Sequence, residues 1–205
     1  MRARASEGVN PYIALSDLGL NLVFILVFFV AAVLALGQSG WDSVKYRLPQ
    51  ELVSAAVEAA PLTQRPWRLD AKVRNDPPGV QRWVFAGTMF KAGSADLHPE
   101  SARDLLEFAR VLGKLEKSWK RVRIEGHTRP GLSDGVNPWS LSAGRAAGVA
   151  QLFYLQGNIP PNRLAVAARG DQTLLNGPNS DPKDPRNDRV EIVVEYGDIK
   201  ASTSI

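Results

Sequence analysis

Residues 18–36 carry no charge, and Leu, Val, Ile, Phe and Ala fill every position among them except Gly19 and Asn21. The uncharged stretch continues to Trp41. A helix rises about 1.5 Å per residue, so about 20 apolar residues cross a hydrocarbon core. This stretch has that length. Asp17 stands at its leading end. A carboxylate inside such a helix is costly, so it marks a functional position by default. It needs a partner, a water-filled cavity or a proton. Asn21 lies one turn on, at i+4, on the same face. It is placed either to support the carboxylate or to hydrogen-bond another helix.

Arg2 and Arg4 precede the stretch, and Ala35-Leu36-Gly37 loosely resembles a cleavage site. Signal-peptide cores span about 7–15 residues and do not carry an acid at their leading edge. The sequence therefore predicts a retained transmembrane helix over residues 12–36, with Trp41 as an interfacial anchor. The positive-inside rule puts residues 1–11 in the cytoplasm as a short tail, although Lys45 and Arg47 on the far side count against it. Everything after Gly37 is then outside, which in a bacterium is the periplasm, and the membrane is the inner one.

The 205 residues leave about 120 for one compact domain with its own core. Cysteine is absent, which excludes disulfides, thiolate metal sites and a cysteine nucleophile. The net charge of +4 is spread over interspersed acids and bases. No Lys/Arg run marks a nucleic-acid arm, so no nucleic-acid partner is expected. No phosphate loop, zinc spacing or haem motif is present, so no metal and no cofactor are expected.

Residues 37–82 read as a linker, with Pro61, Pro66, Pro77 and Pro78 among charges. Within it, Leu52, Val53, Ala55, Ala56 and Val57 are either a short amphipathic helix or a partly ordered tether. Residues 83–196 read as the folded domain. Trp83-Val84-Phe85, continuing towards Phe90, predicts a strand. Pro99 opens a helix on which Leu105, Leu106, Phe108, Ala109, Leu112 and Leu115 recur at helical spacing. Alternation over residues 121–126 predicts a strand with one buried face. Asn137-Pro138 predicts a capped helix running to about Gln156 and stopping at Gly157. Residues 164–167 and 190–194 predict two more strands. The fold class is α+β: one N-terminal transmembrane helix followed by a two-layer α/β sandwich. The loop over residues 170–188 is long enough to be functional or mobile, and residues 197–205 are a C-terminal tail.

Four blocks carry a resemblance. They are Ile124-Glu125-Gly126-His127-Thr128, Leu141-Ser142-Ala143-Gly144-Arg145-Ala146, Asn162-Arg163-Leu164 and Asn187-Asp188-Arg189-Val190-Glu191-Ile192. Together with the segment Phe90-Lys91-Ala92-Gly93-Ser94-Ala95-Asp96-Leu97, they resemble the OmpA-like peptidoglycan-binding domain over roughly residues 83–196. The stretch Asn10-Pro11-Tyr12-Ile13-Ala14-Leu15-Ser16-Asp17-Leu18 resembles the B subunits of ion-driven membrane motors. These include the flagellar stator protein MotB and the B subunit of Zorya anti-phage systems.

The first resemblance implies an OmpA-like fold and a peptidoglycan site in which Thr128, Arg145, Asn187 and Arg189 take part. An arginine suits a carboxylate because it donates two parallel hydrogen bonds. Arg129 departs from the pattern, standing where the family places an aspartate that holds the ligand's ammonium group. Asp134 is a possible substitute on the same loop. Asn137 also stands one residue earlier than the family spacing. The second resemblance implies that Asp17 carries a proton or a sodium ion against a multi-span motor A subunit, with this chain as a homodimer. In that reading the outer domain anchors to peptidoglycan, in a flagellar stator or in antiviral defence. A passive tether between inner membrane and wall is the competing reading; it leaves Asp17 unexplained. No enzymatic activity is expected. His127 has no paired nucleophile and reads as structural, His98 as a surface or capping residue, and Trp119 and Trp139 as core or rim aromatics.

Overall fold

The computed structural model describes the backbone of residues 11–59, 67–69, 79–87, 89–131 and 135–197. Side chains are described for the same residues except 11–17, 38–44 and 67–69. The N-terminal tail before residue 11, most of the proline-rich stretch, Asp134 and the C-terminal tail lie outside the described residues. So do the side chains of Asp17 and Trp41. The chain divides into two units, Met1–Asp42 and Ser43–Ile205.

Among the described residues the first unit holds one helix, α1 (Pro11–Asp42, 32 residues). At 1.5 Å per residue it is about 48 Å long, more than a hydrocarbon core needs. Leu18–Gly37 within it is long and apolar enough to cross a membrane. Its large apolar side chains are exposed, with Phe28 at 77% and Leu36 at 74%. A helix apolar all round requires lipid or other helices around it. Positions 17 and 21 fall one turn apart on this helix, and the Asn21 side chain is exposed.

The second unit opens with a π-helical turn (Ser43–Arg47) and α2 (Leu48–Ala59). It continues through β1 (Trp67–Leu69), β2 (Val80–Ala86), α3 (Pro99–Lys114) and β3 (Arg121–Gly126). It ends with α4 (Pro138–Leu155), β4 (Leu164–Ala168) and β5 (Arg189–Glu195). The five strands form one sheet in the order β1-β2-β5-β3-β4. Only β3 and β4 run parallel, as expected for two strands joined by the helix α4. Every other pair is antiparallel.

Period-two alternation sorts each strand between two faces. Trp83 and Phe85 of β2, Val122 and Ile124 of β3, and Val190, Ile192 and Val194 of β5 enter the apolar core. Leu105, Phe108 and Leu112 of α3 meet them, with Val149 and Phe153 of α4. Phe108 packs on both Trp83 and Phe85, with ring centroids 4.9 and 5.3 Å apart. Gly126 ends β3 against α4. A Cβ there would run into the Ser142 carbonyl oxygen and sit 3.3 Å from the Ala146 side chain, so only glycine permits this approach.

Two parts of the stretch read as linker belong to the fold. Leu48, Leu52 and Ala56 of α2 are buried in the core, so this segment is a packed helix and not a tether. The three residues of β1 pair with β2, Trp67 opposite Phe85. Such a short strand beside Pro66 has no period to read; its partner strand supplies the backbone bonds that define it. Likewise β2 begins at Val80, ahead of the Trp83 start that the apolar pattern predicts, because the β5 ladder reaches Val80 opposite Glu195.

Leu52 is fully buried. Leu52→Ala is expected to lower the stability of the full chain in detergent by about 2–4 kcal/mol, through lost burial and the cavity left behind. Chemical denaturation followed by tryptophan fluorescence measures it; a change below about 0.5 kcal/mol would mean that α2 is not part of the core.

Candidate functional site

The Asn137 side chain accepts hydrogen bonds from the backbone N–H groups of Trp139 (2.9 Å) and Ser140 (3.2 Å), capping α4 where Pro138 opens it. The Ser142 hydroxyl donates to the Trp139 carbonyl and accepts from the Gly170 N–H, both at 3.0 Å. It thereby ties α4 to the end of β4. These contacts aim Arg145, two turns into the helix, along the end of β3.

Arg145 is 2% exposed. A buried guanidinium has to be paired and hydrogen-bonded. Its Nε donates to the Ser94 carbonyl (3.2 Å) and its Nη1 to the His127 carbonyl (3.2 Å) and to Asp188 Oδ1 (2.5 Å). The guanidinium also lies over the Phe90 ring, 4.9 Å from its centroid. Ser94 and Phe90 belong to a turn closed by the Phe90–Leu97 bridge, which Gly93 enters at φ 65°. Asp188 also accepts from the Arg129 N–H (3.3 Å), and its Oδ2 lies 3.4 Å from Arg129 Nε. One carboxylate therefore joins two guanidiniums from different parts of the chain. Beside them is a cavity of about 280 Å³ whose walls include Phe90, Lys91, His98, Arg129, Arg145 and Asp188.

The fold thus brings Arg145 and Arg129 together at one cavity, while Thr128, Asn187 and Arg189 are not among its walls. Thr128 is buried, and its Oγ1 has no hydrogen bond among the described residues. Asn187 is buried and staples the 170–188 loop. It accepts from the Leu175 N–H (2.9 Å) and donates to the carbonyls of Asp181 and Pro182. Arg189 pairs with Glu191 at 2.5 Å and donates to the Thr173 carbonyl. Asn187 and Arg189 thus hold the loop and last strand in place. Asp188, between them, is the wall residue that reading the sequence passed over. The signal for it was a charge count: a buried Arg145 needs an acid, and Arg129 does not provide one. His98 precedes α3 without a side-chain cap bond and faces the cavity. Trp119 is a core residue whose ring lies under Arg163, and Trp139 is half exposed.

A second group of charges lies on the sheet face away from the helices. Glu125 is met by Arg82 (3.2 Å), Arg123 (2.7 Å) and Arg169 (2.9 Å), and Glu191 by Arg82 and Arg189 at 2.5 Å each. Burial pushes the Glu125 carboxyl up, but hydrogen bonds from Arg169 and Arg123 and the charge of Arg82 outweigh it and hold its pKa at about 2. His127 Nδ1 is 3.0 Å from the Thr173 hydroxyl, and its Nε2 is 3.5 Å from Glu191 Oε1. Burial lowers its pKa to about 4; Arg189 and Arg169 add to the effect, and Glu191 and Glu125 oppose it. The ligand atoms of Glu125, His127 and Glu191 fall within 4.8 Å of one another. Arginines occupy both carboxylates, however, so the group is built as an ion-pair ladder and is a poor cation site.

This neutral histidine fixes an acid sensitivity. The unfolded chain binds a proton at His127 below pH 6.5, the folded chain only below about 4. Stability is therefore full above 6.5 and is lost as pH falls towards 4, on the order of 3 kcal/mol in all. Glu125 adds a lower window between its ordinary 4.5 and about 2. Denaturant midpoints measured from pH 7 to 4 are expected to show the first loss, and His127→Gln is expected to flatten it. An unchanged slope in that variant would assign the loss to other groups.

Residues 89–188 match the OmpA family. The uncharacterized protein YtxE of Bacillus subtilis is 30% identical over 125 residues, 60% of this chain. The chain spans about half the length of that curated relative. Among solved structures, a putative MotB-like protein from Desulfovibrio vulgaris is 22% identical, covering 78% of this chain and 96% of that one, with a TM-score of 0.57. The cell wall anchor of the T6SS from Pseudomonas aeruginosa is 24% identical, covering 75% and 99%, with a TM-score of 0.53. The periplasmic domain of Helicobacter pylori MotB is 19% identical, covering 65% and 88%, with a TM-score of 0.52. At these identities the likeness to solved structures establishes the fold of the sheet-bearing unit.

Proposed function

Since the chain carries an OmpA-family domain, we propose that it is a single-pass inner-membrane protein whose periplasmic domain holds peptidoglycan, and that it is the B subunit of an ion-driven motor. The observation that carries the wall reading is the cavity where Arg145, buried and held on three sides, meets Asp188. A guanidinium fixed in this way binds a ligand carboxylate without further ordering cost. The cell wall anchor and the MotB domains share this fold, and the apolar part of α1 is the membrane span. Thr128, Asn187 and Arg189 support the site from behind.

The motor reading rests on Asp17. Next to the apolar stretch of α1, a carboxylate that takes up and releases a proton, or binds sodium, changes the charge of one helix face, with Asn21 beside it on the helix. Such a change biases two packings of the helix against its neighbours. A multi-span A subunit supplies those neighbours, and two copies of this chain share it. A Zorya-type defence system and a flagellar stator are both served by this mechanism. A passive tether is the second reading, favoured by the likeness to a cell wall anchor.

Asp17→Asn is expected to leave membrane insertion and wall binding intact while abolishing ion flux through the complex purified with its multi-span partner. Undiminished flux would remove Asp17 from the mechanism, and purification without any multi-span protein would favour the tether. Arg145→Lys keeps the charge but loses the planar fork whose Nε and Nη1 fix the group and leave Nη2 for a ligand. It is expected to lower sedimentation of the full chain with purified peptidoglycan about tenfold. Circular dichroism serves as the fold control, and unchanged sedimentation would move the wall site elsewhere.

A further inference from the structure

Trp139 leaves a large aromatic surface in water, at 51% exposure, and yet its ring is fixed in place. Its backbone N–H donates to the Asn137 cap (2.9 Å) in the first turn of α4. The ring lies on Gly170, a glycine at φ 54°. A Cβ at Gly170 would have the indole Cδ2 and Cε2 as its nearest atoms, both at 3.4 Å, with Nε1 at 3.6 Å. Cδ2 and Cε2 are the two fusion carbons of the ring system. They have no outer edge to offer, so a point nearest to both lies over the face of the ring. One face of the indole therefore covers the Gly170 backbone, and the other is turned to solvent. Gly170 is itself held: its N–H donates to the Ser142 hydroxyl (3.0 Å), and its carbonyl accepts from the Thr128 N–H (2.8 Å). The hydrogen bonds of Trp139 are made by its backbone, and its indole N–H has no acceptor among the described residues. The surroundings are polar. Asn137 and Ser140 are exposed, and the two residues after Gly170, Asp171 and Gln172, form a carboxylate–amide pair at 2.6 Å. An aromatic anchor of a protein interface sits among neighbours that exclude water. A single fixed ring in a polar setting suits a ligand with an apolar C–H face and a rim of hydroxyls, which describes a pyranose.

Resting on the wall-anchor reading, we propose that Trp139 is a sugar-stacking platform, and that the domain holds the glycan strand of the wall there in addition to the stem peptide at the Arg145 cavity. The C–H groups on one face of an N-acetylhexosamine ring pack on the outer face of the indole. The Asp171 carboxylate accepts from sugar hydroxyls, and the Gln172 amide and the indole N–H donate to hydroxyl or acetamido oxygens. The spacing suits a single wall fragment. Trp139 precedes Arg145 by six residues, about 9 Å along α4. An extended stem of three residues reaches about 10 Å. Thr128 joins the two places: its N–H bonds the Gly170 carbonyl beside the ring, and the next residue, Arg129, lines the cavity. The ligand class that Trp139 adds is a chain of N-acetylhexosamines, bound without its peptide.

The test measures binding of the full chain in detergent to two soluble probes. One is glycan strands stripped of their stem peptides by an amidase; the other is the synthetic tripeptide L-alanyl-γ-D-glutamyl-meso-diaminopimelate. The stripped strands are expected to bind. Trp139→Ala is expected to weaken that binding about tenfold while changing tripeptide binding less than about threefold. Trp139→Phe keeps an aromatic face and is expected to stay within about threefold of the unmodified chain on the strands. Trp139→Leu keeps apolar bulk without that face and is expected to lose as much as Trp139→Ala. The inference is overturned if the stripped strands fail to bind while the tripeptide binds, or if Trp139→Leu holds the strands as well as the unmodified chain does. It is also overturned if Trp139→Ala weakens both probes equally, which would make the ring a support for the Gly170 turn. Failure of both probes overturns the wall-anchor reading itself, a result distinct from the other three.

Discussion

A guanidinium taken out of water has to be met by acceptors on several sides, and Arg145 finds them in three separate segments. The Ser94 turn, the end of β3 at His127 and the loop end at Asp188 all converge on it. The first and last of these lie outside the strands and helices, while His127 directly follows β3. Burial of one charge makes their arrangement mutually dependent, because losing any partner leaves the cation short of a bond in a region of low dielectric. The cavity is the gap left between these segments.

The sheet divides two kinds of stabilisation between its faces. Towards the helices, aromatic and branched side chains exclude water around Phe108. On the opposite face, arginines and glutamates alternate across β2, β3 and β5 and neutralise one another. The apolar face supplies most of the favourable free energy. The charged face adds register: a one-residue slip of β5 would set Arg189 and Glu191 towards the core.

Much of this was legible from residue order. The Asn137-Pro138 pair marks the start of α4 because capping is local chemistry, and alternation along residues 121–126 marks β3 because the buried face repeats every second residue. Arg145, which lines the cavity, was legible as a candidate site residue through its motif. Asp188 was not, since its role depends on where the 170–188 loop returns, a distance that sequence spacing does not encode. Asn187 and Arg189 drew attention instead, yet they point away from the cavity and hold the loop and strand. The core position of α2 was ambiguous for a similar reason: three buried residues at helical spacing look the same whether or not a partner surface exists. For β1, three residues are too few to show any period.

Gly126 links these levels. Its bare Cα lets β3 and α4 approach until the Ser142 carbonyl lies where a side chain would begin. Arg145 follows three residues later on the same helix, and its Nη1 bonds the carbonyl of the residue next to Gly126. The clearance between sheet and helix and the reach of the guanidinium into the cavity are therefore one dimension. The dimensions of the cavity are set in the interior of the domain, at a glycine that does not line it.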